Sequence, residues 1–277
     1  MSHRTLWPDS PAGTLPRVDT VRMKPGTLSH VDMAGTRSFT LSGGLRVDDL
    51  SASEAVRACR RRVEAGATVH VCTVNPEIAV LALSDPAYHA AVTAADVITI
   101  DGVGISFAVL RQHGRFPARL TGVALMHALV RDAAAHGREV VIVGAGDESR
   151  REAEARLRAR GVLVRDGVSP RVAGDGSDGL LPEGLVPDRG VVLVALGSPK
   201  QELWIRRQVA SGAPPAIWVG IGGAVDYLSG AVPTPPRLVR RLGLQWLYRL
   251  VTEPRARFRR QMSTLPRFFW RQVARGG

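Results

Sequence analysis

Short runs of consecutive apolar, largely β-branched residues punctuate the chain: Thr68–Thr73 (TVHVCT), Asp96–Ile100, Glu139–Val143, Val162–Arg165, Val191–Leu196 and Ala216–Ile221. A strand covered on both faces reads as such a run, whereas a half-exposed strand alternates apolar and polar positions. Between the runs, Ser53–Glu64, Glu77–Ala94, Gly102–Arg111, Val123–His136, Glu148–Arg160 and Pro199–Ala210 read as helices. Strands alternating with helices predict an α/β fold with a largely parallel sheet flanked by helices and right-handed crossovers. Residues 1–40, rich in Pro, Gly, Ser and Thr without periodicity, read as a disordered N-terminal segment. Residues 41–236 then form the α/β domain, and 237–277 a basic helical C-terminal appendage.

In parallel sheets, ligands bind outside the carboxyl ends of the strands, so those ends carry the chemistry. The first candidate strand ends in Thr73-Val-Asn75-Pro-Glu77. Asn75 suits a helix N-cap and Pro76 the first helical position, but neither role explains a hydroxyl at Thr73. The second ends in Ile100-Asp101-Gly102, where Asp101 is either a helix cap or a partly desolvated general base. The third runs into Gly144-Ala-Gly146-Asp147-Glu148-Ser149, which breaks the G-x-G-x-x-G dinucleotide pattern at Ser149. Acids at the helix start oppose a pyrophosphate there. They suit a ribose or base edge, or simply an acidic cap. The fifth ends in Gly197-Ser198-Pro199-Lys200-Gln201-Glu202, readable as a capping box of Ser198 and Gln201 or as a diphosphate cradle. The sixth gives Gly220-Ile-Gly222-Gly223-Ala-Val-Asp226, either a close approach of backbone to ligand or a tight turn.

Composition narrows the class. Two cysteines, Cys59 and Cys72, make neither a disulfide framework nor a Cys-cluster zinc site and read as buried thiols. No Asp-x-Asp pair, H-x-x-x-H spacing, Walker A sequence or G-x-S-x-G elbow is present, so no metal site and no cofactor is expected. The N-terminus has no apolar h-region and no apolar run reaches 18 residues, which places the chain in the cytoplasm. Of the net charge of +12, +10 falls in residues 237–277, with eleven Arg against Glu253. Six of the chain's fourteen aromatic residues share that segment. Arg interleaved with aromatics suits an anionic membrane surface; nucleic acid and a merely solvated tail are the alternatives.

The strand-end motifs, in this order, resemble the WecG/TagA/CpsF family of bacterial glycosyltransferases. The matching pieces are Thr73–Glu77, Asp101–Gly104, Arg119-Leu-Thr-Gly122, Gly144–Gly146, Gly197–Glu202, Gly220–Asp226 and Gly243-Leu-Gln-Trp-Leu-Tyr-Arg249 with Glu253-Pro254. The resemblance implies a Rossmann-like fold and an inverting, metal-independent transfer of N-acetylmannosamine or a related sugar. The donor is a UDP-sugar and the acceptor a polyprenyl-diphosphate-linked sugar. The reaction serves cell-surface polysaccharide biosynthesis at the cytoplasmic membrane face, with the basic C-terminal segment docking on the membrane and completing the site. It implies a dimer or trimer and no nucleic-acid partner. It assigns Asp101 as the base, with Thr73 and Asn75 positioning a sugar beside it. Arg119 and Gln201 are tied to the sugar and diphosphate, and Arg237, Arg249, Arg255 and Arg259 to the lipid diphosphate. The glycine turns at Gly144, Gly146, Gly197, Gly222 and Gly223, with Asp147, Ser198, Lys200 and Asp226, complete the expected substrate site. Three positions depart from the family pattern: Ala124 and Gln245 stand where acids are usual, and Asp166–Gly176 lacks the usual Gly-Tyr-Phe. The competing enzyme class is a nucleotide-dependent oxidoreductase on a Rossmann-like sheet; a nucleic-acid-binding module resting on the basic tail is the other alternative.

Overall fold

The computed structural model describes residues 36–177, 181–233, 235–236, 239, 247–248, 250 and 264–274. Eight strands form one sheet: β1 (Arg37–Leu41), β2 (Leu45–Asp49), β3 (Val69–Val74), β4 (Val97–Ile100), β5 (Val140–Gly144), β6 (Val164–Val168), β7 (Val191–Ala195) and β8 (Ile217–Gly220). Their spatial order is β1-β2-β4-β3-β8-β7-β5-β6. Only β1 and β2 pair antiparallel; every other neighbouring pair is parallel. The helices are α1 (Ala52–Glu64), α2 (Pro76–Ala82), α3 (Pro86–Thr93), α4 (Val103–His113), α5 (Gly122–Ala135), α6 (Asp147–Arg158), α7 (Lys200–Ala210) and α8 (Val225–Ser229). A π-helical turn, Phe269–Ala274, closes the described chain. The expected Rossmann-like α/β architecture is what the chain adopts.

The central strands are buried at every position in β3, β4, β5 and β8, as their continuous apolar runs predict. The edge differs from expectation. Residues 37–40, assigned to an unstructured segment, are most of β1. Phe39 and Leu41 point inward against Leu45 and Val47, while Gly43 and Gly44, both at positive φ, make the turn. The single helix expected over Glu77–Ala94 is two. Asp85 Oδ1 accepts the amides of Ala87 and Tyr88, and Pro86 at the first helical position has no N–H to continue α2. At the C-terminal side, Phe268 is fully buried in one hydrophobic cluster with Val74, Ile100 and Ile105, so this residue packs into the α/β core. No helix among the described residues is long and apolar enough to cross a membrane.

Candidate active site

Because β3, β4, β5, β7 and β8 run parallel, their carboxyl ends share one edge of the sheet. They are consecutive there, in the order β4-β3-β8-β7-β5. The five predicted motifs therefore stand side by side across four strand spacings, about 19 Å.

Asp101 follows β4, and its amide donates to the Val74 carbonyl at 2.8 Å, which sets it beside the Asn75 end of β3. It does not cap α4: Gly102 (φ 95°) is the N-cap of that helix and makes no side-chain cap bond. The carboxylate turns instead to the start of α5, where Oδ2 accepts the Gly122 N–H at 3.1 Å. Burial raises its pKa to about 6, and the Gly122 amide and the Arg119 charge only partly oppose that. Thr73, buried at the end of β3, faces the same point. A Cβ on Gly122 would lie 3.2 Å from Thr73 Oγ1 and 3.5 Å from Asp101 Oδ2. The absence of a side chain at Gly122 thus lets the start of α5 approach a hydroxyl and a carboxylate together.

Asn75 is the N-cap of α2, its Oδ1 accepting from Glu77 and Ile78 at 3.0 Å each. Contact with a ligand therefore falls to its Nδ2. Pro76, next in line, packs near the first turn of α4. A Cβ at Gly104 would meet Pro76 at 2.8 Å and the buried Phe268 ring at 3.3 Å. Phe268 thereby lies against the first turn of α4.

At β7 the expected capping box is absent. The N-cap of α7 is Pro199, after a cis Ser198–Pro199 peptide, and Lys200 opens the helix. Ser198 Oγ donates to Glu202 Oε1 at 3.0 Å, because a buried carboxylate recruits whatever donors surround it. Gln201 Nε2 donates to the same oxygen at 2.7 Å, and Tyr88 Oη donates to Oε2 at 3.1 Å. Gln201 Oε1 accepts the Gly222 N–H at 3.1 Å. Gln201 therefore spans the ends of β7 and β8, with both polar ends engaged inside the protein. Gly220 must be glycine to admit it, since a Cβ there would lie 2.7 Å from Gln201 Nε2. Burial raises the Glu202 pKa against those hydrogen bonds. Gly223 lies in the one-turn helix Gly222–Ala224, and Asp226 in the first turn of α8.

At β5, Gly144 takes a φ of 93° and Ala145 a φ of 63°, left-handed values that mark a forced turn. A Cβ on Gly144 would press within 2.8 Å of the Ala195 carbonyl. Gly146 is the N-cap of α6, and Asp147 accepts from Arg150 Nη2 at 3.1 Å. That interaction lowers the Asp147 pKa, with Ser169 adding to it. Arg150 also pairs with buried Glu154 at 2.9 Å, and Glu154 accepts the Gly167 amide.

Gly122 and Glu202 lie in the quoted motifs but were given no role there, and Tyr88, the Arg150–Glu154 pair and Phe268 were not foreseen as parts of this edge. The i,i+4 spacing of Arg150 and Glu154 is the one sequence signal that could have found any of the last three. Arg237, Arg249, Arg255 and Arg259, expected at the lipid diphosphate, lie outside the described residues.

A row of glycine turns with the desolvated carboxylate of Asp101 among them, along the carboxyl edge of a parallel sheet, is the layout of an α/β enzyme that works on a ligand laid across strand ends. Residues 40–276 match the glycosyl transferase WecG/TagA/CpsF family. The chain belongs to that family, and the resemblance carried by its motifs is borne out. It is a glycosyltransferase of cell-surface polysaccharide biosynthesis.

Proposed function

We propose that the chain moves N-acetylmannosamine or a related sugar from a UDP-sugar to a polyprenyl-diphosphate-linked sugar, by one inverting displacement at the cytoplasmic face of the membrane. The observation that carries this reading is Asp101: a desolvated carboxylate with a pKa near 6, beside Thr73 at the start of α5. A base with that pKa is ionised at neutral pH yet proton-hungry enough to help an alcohol react. The acceptor hydroxyl gives its proton to Asp101 as its oxygen attacks the anomeric carbon. The bond from that carbon to the UDP oxygen breaks, and UDP leaves with the electron pair. Arg119 and the helix N-termini at Gly146 and Pro199 meet the charge that develops, a task this reading gives to the protein's own groups rather than to a metal. Thr73 and the Asn75 amide orient the sugars. Lys200, Ser198 and the glycine turns of β5, β7 and β8 line the donor. The C-terminal arginines hold the lipid diphosphate, and the working unit is a small homo-oligomer.

A donor screen tests the proposal. Purified protein is given a panel of UDP-sugars and a short-chain prenyl-diphosphate sugar, and UDP release and the anomeric configuration of the product are measured. Acceptor-dependent UDP release with inversion, lost in Asp101→Asn, is the expected result. Retention of configuration, or wild-type turnover in Asp101→Asn, would sink it.

A further inference from the structure

The outer face of α4 is apolar. Between Gly104 and Arg111, only Phe107, Leu110 and Arg111 are exposed, an i, i+3, i+4 set on one helix face. A surface helix ordinarily turns its polar side chains to water. Here Phe107 (47% exposed) and Leu110 (38%) face out, while Ser106 is buried. Phe116, on the loop after α4 and 55% exposed, packs edge-on against Phe107 with ring centroids 5.8 Å apart. The C-terminal turn extends the patch. Phe268 is anchored in the core, and its neighbours Phe269 and Trp270 stand exposed. Phe269, Phe107, Leu110 and Arg111 line an open groove of about 490 Å³.

The charge around this patch has one sign. Residues 103–121 and 264–274 contain five arginines (111, 115, 119, 267 and 271) and no acid. Arg111, Arg115, Arg267 and Arg271 are exposed. A second copy of the chain docking through the same patch would set arginines against arginines. A nucleic acid would satisfy the charges and leave Leu110 without an apolar partner. An anionic bilayer meets both features, taking aromatic and aliphatic side chains at the headgroup–acyl boundary and guanidinium groups on its phosphates.

We propose that the outer face of α4, Phe116 and the Phe269–Trp270 pair form a bilayer-inserting surface selective for anionic lipid. The proposal deepens the membrane-bound transferase reading and rests on it for the choice of partner. It places the apolar part of the docking on the α/β body itself, whereas the sequence put docking wholly in the basic tail. Its consequence is geometric. From Gly102 to Leu110, α4 advances about 12 Å, so insertion of this face holds the Asp101 edge within about that distance of the lipid phosphates.

The test is flotation of the full-length chain with phosphatidylcholine vesicles, with and without phosphatidylglycerol. The wild type should bind only the anionic vesicles. The double variant Phe107→Ser/Leu110→Ser should partition about tenfold less, the effect of withdrawing two side chains from the acyl boundary. Leu163→Ser, which removes a 52% exposed leucine elsewhere on the surface, should match the wild type. Phe116→Ser repeats the test in a loop, where helix disruption cannot account for the loss. UDP binding, followed by thermal shift, should be equal in all four proteins. Wild-type partition by both the double variant and Phe116→Ser would overturn the surface and leave the transferase reading standing. A loss of UDP-sugar turnover with vesicle binding intact would do the reverse. A concentration-dependent dimer that the double variant abolishes, with no vesicle binding by either protein, would also overturn the proposal by making the patch a protein interface.

Discussion

Replacing Asp101 with Asn should make the protein more stable and less active, with both effects tied to one ionisation. The carboxyl titrates at about 6 in the folded chain against an ordinary aspartate value of 3.8, because burial outweighs the Gly122 amide and the Arg119 charge. Between those values the folded state keeps a proton that the unfolded chain has released. Stability therefore falls as pH rises from about 4 to about 6, and the whole cost is present above 6. A pKa difference of about 2 corresponds to about 3 kcal/mol, roughly half of it already felt at pH 5. Asn is neutral at every pH and keeps an oxygen to accept the Gly122 N–H. The stability of the variant minus that of the wild type should thus be constant below pH 4 and grow by at most about 3 kcal/mol by pH 7. Urea unfolding at about pH 3.5, 5 and 7, below, within and above the titration, measures the difference directly. Turnover by the same variant should drop about 10²–10⁴-fold, the usual worth of a general base. A stability difference that stays flat across the range would show that Asp101 is well solvated and would remove the reason for choosing it. Growth of the difference with turnover intact would leave it desolvated but idle.

The other expectations follow from neighbouring geometry. Arg119→Ala removes a charge that lowers the Asp101 pKa, so the acid limb of kcat/KM should move above pH 6; an unmoved limb would detach Arg119 from the acid. Gly122→Ala suits the helix by propensity yet puts a methyl 3.2 Å from Thr73 Oγ1, so Tm should hold or rise while turnover falls about tenfold or more. Equal turnover would mean no substrate group enters between Thr73 and Asp101. Tyr88→Phe removes one donor to buried Glu202 and should cost about 1–2 kcal/mol in urea unfolding. Phe268→Ala should cost about 3–5 kcal/mol, because the ring is fully buried in the core cluster; a loss below 1 kcal/mol, far under that range, would make the C-terminal turn a detachable element.

The central strands were legible because burial on both faces leaves no choice of residue: VVIVG at β5 and VITI at β4 admit few other readings. The β1–β2 hairpin was not, although Gly43-Gly44 between alternating Phe39/Leu41 and Leu45/Val47 is a hairpin signal. Its alternation is diluted by Arg37 and Ser38 on the edge strand β1 and by Arg46 and Asp48 on β2, where the Ser38 hydroxyl and the Ile98 amide both donate to the buried Asp48 carboxylate. The break between α2 and α3 was written in Asp85-Pro86 and hidden by the apolar residues on either side. The burial of Phe268 had no local sign at all, since its approach to Gly104 across more than 160 residues exists only in three dimensions.

The site divides along the same line. A strand end announces itself locally, so Thr73, Asp101 and the glycine turns could be found one at a time. Whether a side chain faces a ligand or faces the protein is decided by its neighbours, and there local reading fails. Gln201 illustrates this: its sequence position suggested a substrate contact, and in the fold Glu202 and Gly222 also engage both ends of its amide. A Gln held this way fixes the Gly222 turn at the end of β8. Asp101 is the opposite case. Its sequence allowed a helix cap, and the structure spends the carboxylate on a single backbone amide at the mouth of α5. The bond to that amide lowers its pKa, but burial outweighs it and leaves the pKa raised. The same residue type at the same strand end is thus a scaffold or a base according to how many donors the fold points at it. At Asp101 the fold points one backbone amide and the more distant Arg119 charge, too few to offset its burial.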